Sequence, residues 1–204
     1  IADLVEKIAE DGIFTTQEHD ELMVFLEEKL AEFEGGSRPK SEAQKPATIP
    51  RGNHYELLSL DQGTGEWLAW RNGGIGASDA PAIMGENPWK SAAQILKDKI
   101  SMASSGESND AMRRGTALEP IARKAYIAKR GIEVVPVCIQ HNDYPWLRAS
   151  LDGLSVDCKT VLEIKCGART FEAAVDGIVP KHYYGQLQHI LMATGLPVID
   201  FWVF

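Results

Sequence analysis

The segment SLDGLSVDCKTVLEIKC, residues 150–166, places Asp152, Glu163 and Lys165 in a stretch that is otherwise largely apolar. Side chains alternate between faces along a strand. Glu163 and Lys165 therefore point the same way, and Leu162, Ile164 and Cys166 the other. Burying either charge alone is costly, so the pair needs each other, a metal or water. A turn through Ser155–Thr160 would return the chain as a hairpin and bring Asp152 beside Glu163. Two carboxylates next to a lysine make a hard-oxygen site suited to Mg²⁺ or Mn²⁺. The lysine could then orient or activate a water for hydrolysis. The same spacing also describes an ordinary edge-strand ion pair with a turn aspartate, and these three residues alone do not separate the readings.

Three other segments bear on the choice. In RRGTALEPIARKAYIAKRG, residues 113–131, Glu119 flanks an apolar helical stripe of Leu118, Ile121, Ala122 and Ala125, so it is either a surface residue or one that reaches into a site. In KHYYGQLQHILMATG, residues 181–195, Tyr183, Gln186 and Ile190 share a helical face. Gln188, about 140–160° round the helix from Tyr183, faces elsewhere. In EWLAWRNGGIGASDAPAIMG, residues 66–85, Arg71 precedes glycines and the candidate cap Ser78. An arginine beside a helix N-terminus suits phosphate. The glycines read as a plain turn, since no strand–glycine–helix pattern of dinucleotide-binding spacing surrounds them. The five tryptophans read as core, with Trp89 of ENPWK also able to stack on a base. The five histidines read as packing or surface residues.

The elements that must position these side chains follow from periodicity. Residues 1–34 show two apolar helical stripes and read as an acidic helical appendage; residues 35–53, rich in Gly, Pro, Ser and Lys, read as a linker. Residues 54–204 read as a mixed α/β domain. A helix starts over Glu66–Arg71, and a second, capped by Ser78 or Asp79, runs through Met84. A third is capped by Ser91 and runs to about Met102, followed by the loop MASSGESND. Ala111–Arg130 is a long helix stopped by Gly131, and Pro180–Thr194 one stopped by Gly195. IEVVPVCIQ, WLRASLDG, TVLEIKCG and LPVIDFWVF read as strands, with Pro136 marking an edge or a bulge. No internal repeat is visible.

Composition sets outer limits. The 204 residues are 44% hydrophobic and 25% charged, as in a globular protein with one sizeable core. The net charge of -8 is uneven: residues 1–50 hold 12 acids and 5 bases, leaving the remainder close to neutral. A DNA-binding face therefore belongs on the second part. No apolar stretch approaches the roughly 20 residues of a membrane helix. Cys138, Cys158 and Cys166 form no CxxC pair and read as reduced thiols of a cytoplasmic compartment.

Five motifs occur in one order: Trp70-Arg71…Ile75-Gly76-Ala77-Ser78-Asp79; Arg114-Gly115-Thr116-x-Leu118-Glu119-Pro120; Leu151-Asp152-Gly153; Leu162-Glu163-Ile164-Lys165-Cys166; and Tyr183-x-x-Gln186-x-Gln188. Over about residues 65–204 this order resembles the YqaJ-like viral recombinase family, which includes the phage lambda exonuclease, within the PD-(D/E)xK nuclease superfamily. The resemblance implies a restriction-endonuclease-like α/β (α+β) core, a central mixed sheet flanked by helices. It implies a Mg²⁺-dependent 5′→3′ exonuclease on double-stranded DNA ends, serving phage-type recombination by single-strand annealing. By the same resemblance Asp152, Glu163, Glu119 and the backbone carbonyl of Ile164 are metal ligands, and Lys165 positions or activates the water. Gln186 and Tyr183 support the site, and Arg71 and Ser78 hold the 5′-phosphate. The implied partners are DNA ends, an annealing protein and further copies in a homo-trimer, in the cytoplasm of a bacterial host carrying a phage or prophage. Leu151 replaces the superfamily's proline, at a position that supplies no ligand. Family members usually continue beyond the position of Phe204, so a minimal or truncated form is expected. The competing readings are a restriction- or repair-type endonuclease with the same metal site, and a non-catalytic DNA-end-binding recombination protein.

Overall fold

The computed structural model describes residues 54–101 and 110–204. The expected appendage at 1–34, the linker at 35–53 and nearly all of the loop MASSGESND lie outside the described residues. Six strands form one mixed sheet in the order β1-β3-β4-β5-β6, with β2 paired to β4 off that path. They are β1 (Tyr55–Leu58), β2 (Ile75–Gly76), β3 (Val134–His141), β4 (Leu147–Ser155), β5 (Val161–Lys165) and β6 (Asp200–Val203). The helices are α1 (Gly65–Asn72), α2 (Ala80–Ile83), α3 (Ala92–Ile100), α4 (Asp110–Arg130), α5 (Ala168–Val175) and α6 (Tyr184–Thr194).

The alternation of β5 divides the core between two faces. Val161 packs with Leu154, Leu151, Ile139 and, from α6, Ile190 and Ala193. Leu162 and Ile164 pack with Val134 and, from α4, Ala122 and Tyr126. Helices α4 and α6 thus cover opposite sides of the sheet, as the apolar stripes of both sequences require. Helix α4 runs through Pro120. An interior proline costs about 3 kcal/mol, and burial of Ala122 and Tyr126 beyond it offsets that loss.

Pro136 marks a bulge. Val137 pairs with Leu151 and Val135 with Leu154, so one residue of β3, Pro136, faces two of β4, Asp152 and Gly153. Proline has no N–H to give the ladder. The extra residue inverts the alternation of β4, which is why Leu151 and Leu154 both reach the same core. It also sits at the aspartate that the sequence singled out.

Several expectations need correction. Of the two candidate caps, Ser78 lies inside a 3₁₀ turn over Ala77–Asp79, and Asp79 stands at the N-cap of α2 but turns its carboxylate back to accept the N–H of Gly76 at 2.9 Å instead of capping α2. The last helix begins as a 3₁₀ turn over Lys181–Tyr183 before α6. Strand β1 and helix α5 carry no expectation from the sequence. Of the tryptophans, Trp67 is core, but Trp89 and Trp146 are 74% and 46% exposed. Ser91 caps α3 with a reciprocal Gln94 bond, and Gly131 and Gly195, at φ 66° and 70°, end α4 and α6 as expected.

Gly153 is tightly enclosed. A Cβ there would lie 3.0 Å from the Cβ of Val134 and 3.1 Å from that of Leu162. Gly153→Ala is expected to lower stability by about 1–3 kcal/mol through overpacking, read as a lower urea midpoint at unchanged slope.

Candidate active site

One edge of β4 builds the site. Strand β3 occupies the other edge throughout, from Arg148 to Ser155. On the site edge β2 pairs only with Leu147 and Arg148, and β5 only with Gly153 and Leu154. Between them the ladder is open. Its far side carries Asp152, whose Oδ2 accepts the N–H of Ile164 at 2.8 Å in place of a ladder partner. The N–H and C=O of one residue point to the same side of a strand. The carbonyl of Ile164 therefore faces the same opening.

Glu163 is 2% exposed and stands on the α6 side of β5. Its Oε1 accepts from Lys165 Nζ and from Gln186 Nε2 of α6. The Lys165 ammonium also lies 5.1 Å from the Tyr183 ring centroid, a cation–π position. The structure thus brings Gln186 and Tyr183 to the strand pair as their shared helical face requires, while Gln188 is exposed. Glu119 approaches from α4. Arg123, one turn on, donates Nη2 to Glu119 and Nε to the carbonyl of Asp152 at 2.6 Å. Arg123 escaped the sequence reading. Its signal was the i,i+4 spacing from Glu119.

The electrostatics make one cluster of these groups. Burial first, then the charge of Asp152, raises the Glu119 carboxyl above its ordinary value against the pull of Arg123. Burial raises Asp152, opposed by Lys165, the Ile164 N–H and Arg123. Burial pushes Glu163 up to about 7 despite Lys165 beside it, with Asp152 adding to the rise. For Lys165 burial works downward, but Glu163 and Asp152 outweigh it and hold the ammonium above its usual value. The nearby Cys166 thiol is pushed to about 11 by burial, then by Glu119 and Asp152, so it is no thiolate nucleophile. Cys138, Cys158 and Cys166 form no disulfide with one another.

Among the described residues no three His, Cys, Asp or Glu side chains converge as a ready metal cage. Each carboxylate is instead bonded to a donor of the protein. The donor set nevertheless fits a hard divalent cation. It is all oxygen, and Glu119, Asp152 and Glu163 raise one another's affinity for positive charge.

Arg71 and Ser78 meet at the other end of the opening. Arg71 Nη2 donates to Ser78 Oγ at 2.8 Å, and its guanidinium lies 5.0 Å from the Trp67 ring centroid. Asp79 stands 3.9 Å from Arg71 but binds Lys99 Nζ more closely, at 2.8 Å. Lys99 thereby neutralises the carboxylate that would otherwise claim Arg71. The glycines before Ser78 let Arg148 lie across the turn: a Cβ on Gly74 would fall 2.7 Å from Arg148 Cδ and from the Trp146 carbonyl oxygen. From Arg148 to Asp152 is four residues of strand, about 13 Å.

A raised carboxylate has a signed effect on stability. Glu163 binds its proton more tightly folded than unfolded, so between about pH 4.5 and 7 it makes stability fall as pH rises. His182 and His189, lowered mainly by burial, act in the opposite direction. The informative quantity is therefore a difference. With a chelator present, the melting temperature of wild type minus that of Glu163→Gln is expected to fall through this window.

A family model of the YqaJ-like viral recombinase domain matches residues 66–197. The YqaJ protein of Bacillus subtilis (strain 168) is 34% identical over 134 residues, covering 64% of this chain and 42% of the relative. A protein of Acanthamoeba polyphaga mimivirus is 28% identical over 182 residues, covering 76% of this chain and 33% of the relative. The chain thus spans less than half the length of these curated relatives. Two crystal structures of the alkaline exonuclease LHK-Exo from Laribacter hongkongensis, one of them a complex with dAMP, superpose with TM-scores of 0.60 and 0.58. Both are 33% identical and cover 69% of this chain and 74% of theirs. The mixed sheet flanked by helices is therefore the restriction-endonuclease-like fold of these exonucleases, and the chain belongs to the YqaJ-like viral recombinase domain family.

Proposed function

We propose that this domain is a metal-dependent DNA exonuclease that degrades one strand 5′→3′ from double-stranded ends, as part of recombination. The observation that carries the reading is the buried Glu163, held by Lys165 and Gln186 beside Asp152 and Glu119 at an open sheet edge. A purely structural ion pair has no need of two further carboxylates that raise its energy. The kinship with alkaline exonucleases supports the same class of chemistry.

In this reading Asp152, Glu163, Glu119 and the Ile164 carbonyl hold Mg²⁺, or Mn²⁺ in its place. The cation supplies charge relief at the scissile phosphate. Lys165 holds the attacking water by hydrogen bonding, and Tyr183 keeps the ammonium in place through its ring face. Gln186 fixes the rotamer of Glu163. Arg123 sets Glu119 against the backbone of Asp152. Arg71 and Ser78 take the terminal 5′-phosphate, with Lys99 keeping Asp79 from competing. The 3′ single strand left behind is the substrate of an annealing protein, and a homo-trimer would let the duplex thread the assembly. Among the described residues no helix is long and apolar enough to cross a membrane.

The test is digestion of linear duplex labelled at either end, with and without Mg²⁺, on 5′-phosphate and 5′-hydroxyl substrates. Mg²⁺-dependent release from 5′-phosphorylated ends is expected. Cutting of closed circular DNA would assign an endonuclease, and binding without products a scaffold. Lys165→Ala is expected to keep DNA affinity while lowering cleavage by about 10²–10⁴-fold; cleavage at the wild-type rate would remove Lys165 from the mechanism. Arg71→Ala is expected to slow 5′-phosphorylated ends about tenfold or more and leave 5′-hydroxyl ends nearly unchanged. Equal losses on both would argue against the phosphate pocket.

A further inference from the structure

The rings around Lys165 continue outward to the surface. Tyr183 stands 4.2 Å from His182 between ring centroids, and His182 meets the indole of Trp89 in a near-perpendicular contact at 5.2 Å and 85°. The file runs from the ammonium beside Glu163 to an indole that is 74% exposed. Single exposed apolar side chains are common on proteins, but this one is held in place. The Oδ1 of Asn87 accepts the N–H of Trp89 at 2.8 Å and that of Lys90 at 3.1 Å. The N–H groups of Glu86 and Asn87 both bond to the carbonyl of Pro81, and Pro88 restricts the turn between. The indole is therefore presented to solvent on a braced turn, without a core to pack into.

What such a surface binds follows from its chemistry and its continuity with the hydrolytic cluster. A rigid indole face accepts a flat π system, and the cations nearby, Lys165 and the exposed Lys181, favour an anionic strand. We propose that Trp89, braced by His182, is the stacking platform for an unpaired base of the DNA strand at the cleavage site. The proposal rests on the nuclease reading above. A base stacked on Trp89 is withdrawn from its duplex partner, so the platform separates the strand being degraded from the one that is kept.

The experiment measures equilibrium binding without divalent cation, where hydrolysis is suppressed. The probes are oligonucleotides carrying 2-aminopurine, as single strands and as blunt duplexes, with wild type, Trp89→Ala and Trp89→Phe. The expected result is about tenfold weaker single-strand binding by Trp89→Ala, with the 2-aminopurine quench lost. Trp89→Phe should stay within about threefold, and blunt duplex should change less than single strand. Wild-type affinity and quench in Trp89→Ala would overturn the platform while leaving the nuclease reading intact. Equal losses on single strand and blunt duplex would overturn the unpaired base. A concentration-dependent dimer that Trp89→Ala dissolves without DNA would assign the indole to a protein interface. If wild type neither binds nor cleaves DNA, the nuclease reading falls and the platform with it.

Discussion

A carboxylate buried to 2% exposure inside a sheet is the constraint on which the rest of the domain depends. Glu163 has lost its water, and an uncompensated charge there would cost several kcal/mol. It is held because Lys165 lies two residues away on the same face of β5 and Gln186 reaches it from α6. That second bond requires the N-terminus of α6 to come close to the sheet and to α2. Gly185 makes this possible, since a Cβ there would lie 3.2 Å from the backbone of Pro81. The same approach carries Tyr183 under Lys165 and sets His182 beside Trp89. One buried group thus fixes where a helix can begin.

The bulge opposite Pro136 is the second determinant. Had β4 continued in register, the ladder to β5 would have closed over Asp152, and its carboxylate would have had no reason to bond the Ile164 N–H. The irregularity opens the edge and turns the aspartate toward β5, at the cost of local pairing. The other end of the opening is set by two residues of parallel pairing between β2 and β4, which anchor the turn carrying Ser78. A single strand therefore spaces the candidate phosphate site from the carboxylates. Arg148, on that strand, is folded across the glycines of the turn and locks it from beneath.

Much of this was legible in local pattern. The face shared by Glu163 and Lys165, the hairpin return to Asp152, the long helix to Gly131 and the bulge at Pro136 all follow from periodicity or from proline and glycine chemistry. Such signals are local and survive without knowledge of the fold. The misses have a different cause. Helix α5 spans only eight residues, fewer than the window over which a helical period stands out from the surrounding chain, and none of them is buried. Ser78 and Asp79 both read as caps because they precede a helix; Asp79 takes the N-cap position, but its carboxylate bonds the Gly76 N–H behind it. Trp146 looked like core by type, yet it lies in the turn before β4, where no layer covers it.

By itself the sequence determined the chemical inventory and its order: three carboxylates, a lysine, a glutamine and an arginine–serine pair, each on an element whose face could be read from its own neighbours. Those properties are carried within about a dozen residues, the range over which backbone periodicity acts. Only the tertiary structure decided which of them meet. Arg123 bridging Glu119 to Asp152, Lys99 diverting Asp79 from Arg71, and the ring file from Tyr183 to Trp89 all join residues on different elements. Their partners are chosen by how a bulged sheet and two covering helices pack, and beyond the i,i+4 step from Glu119 to Arg123 that choice has no local signature in the chain.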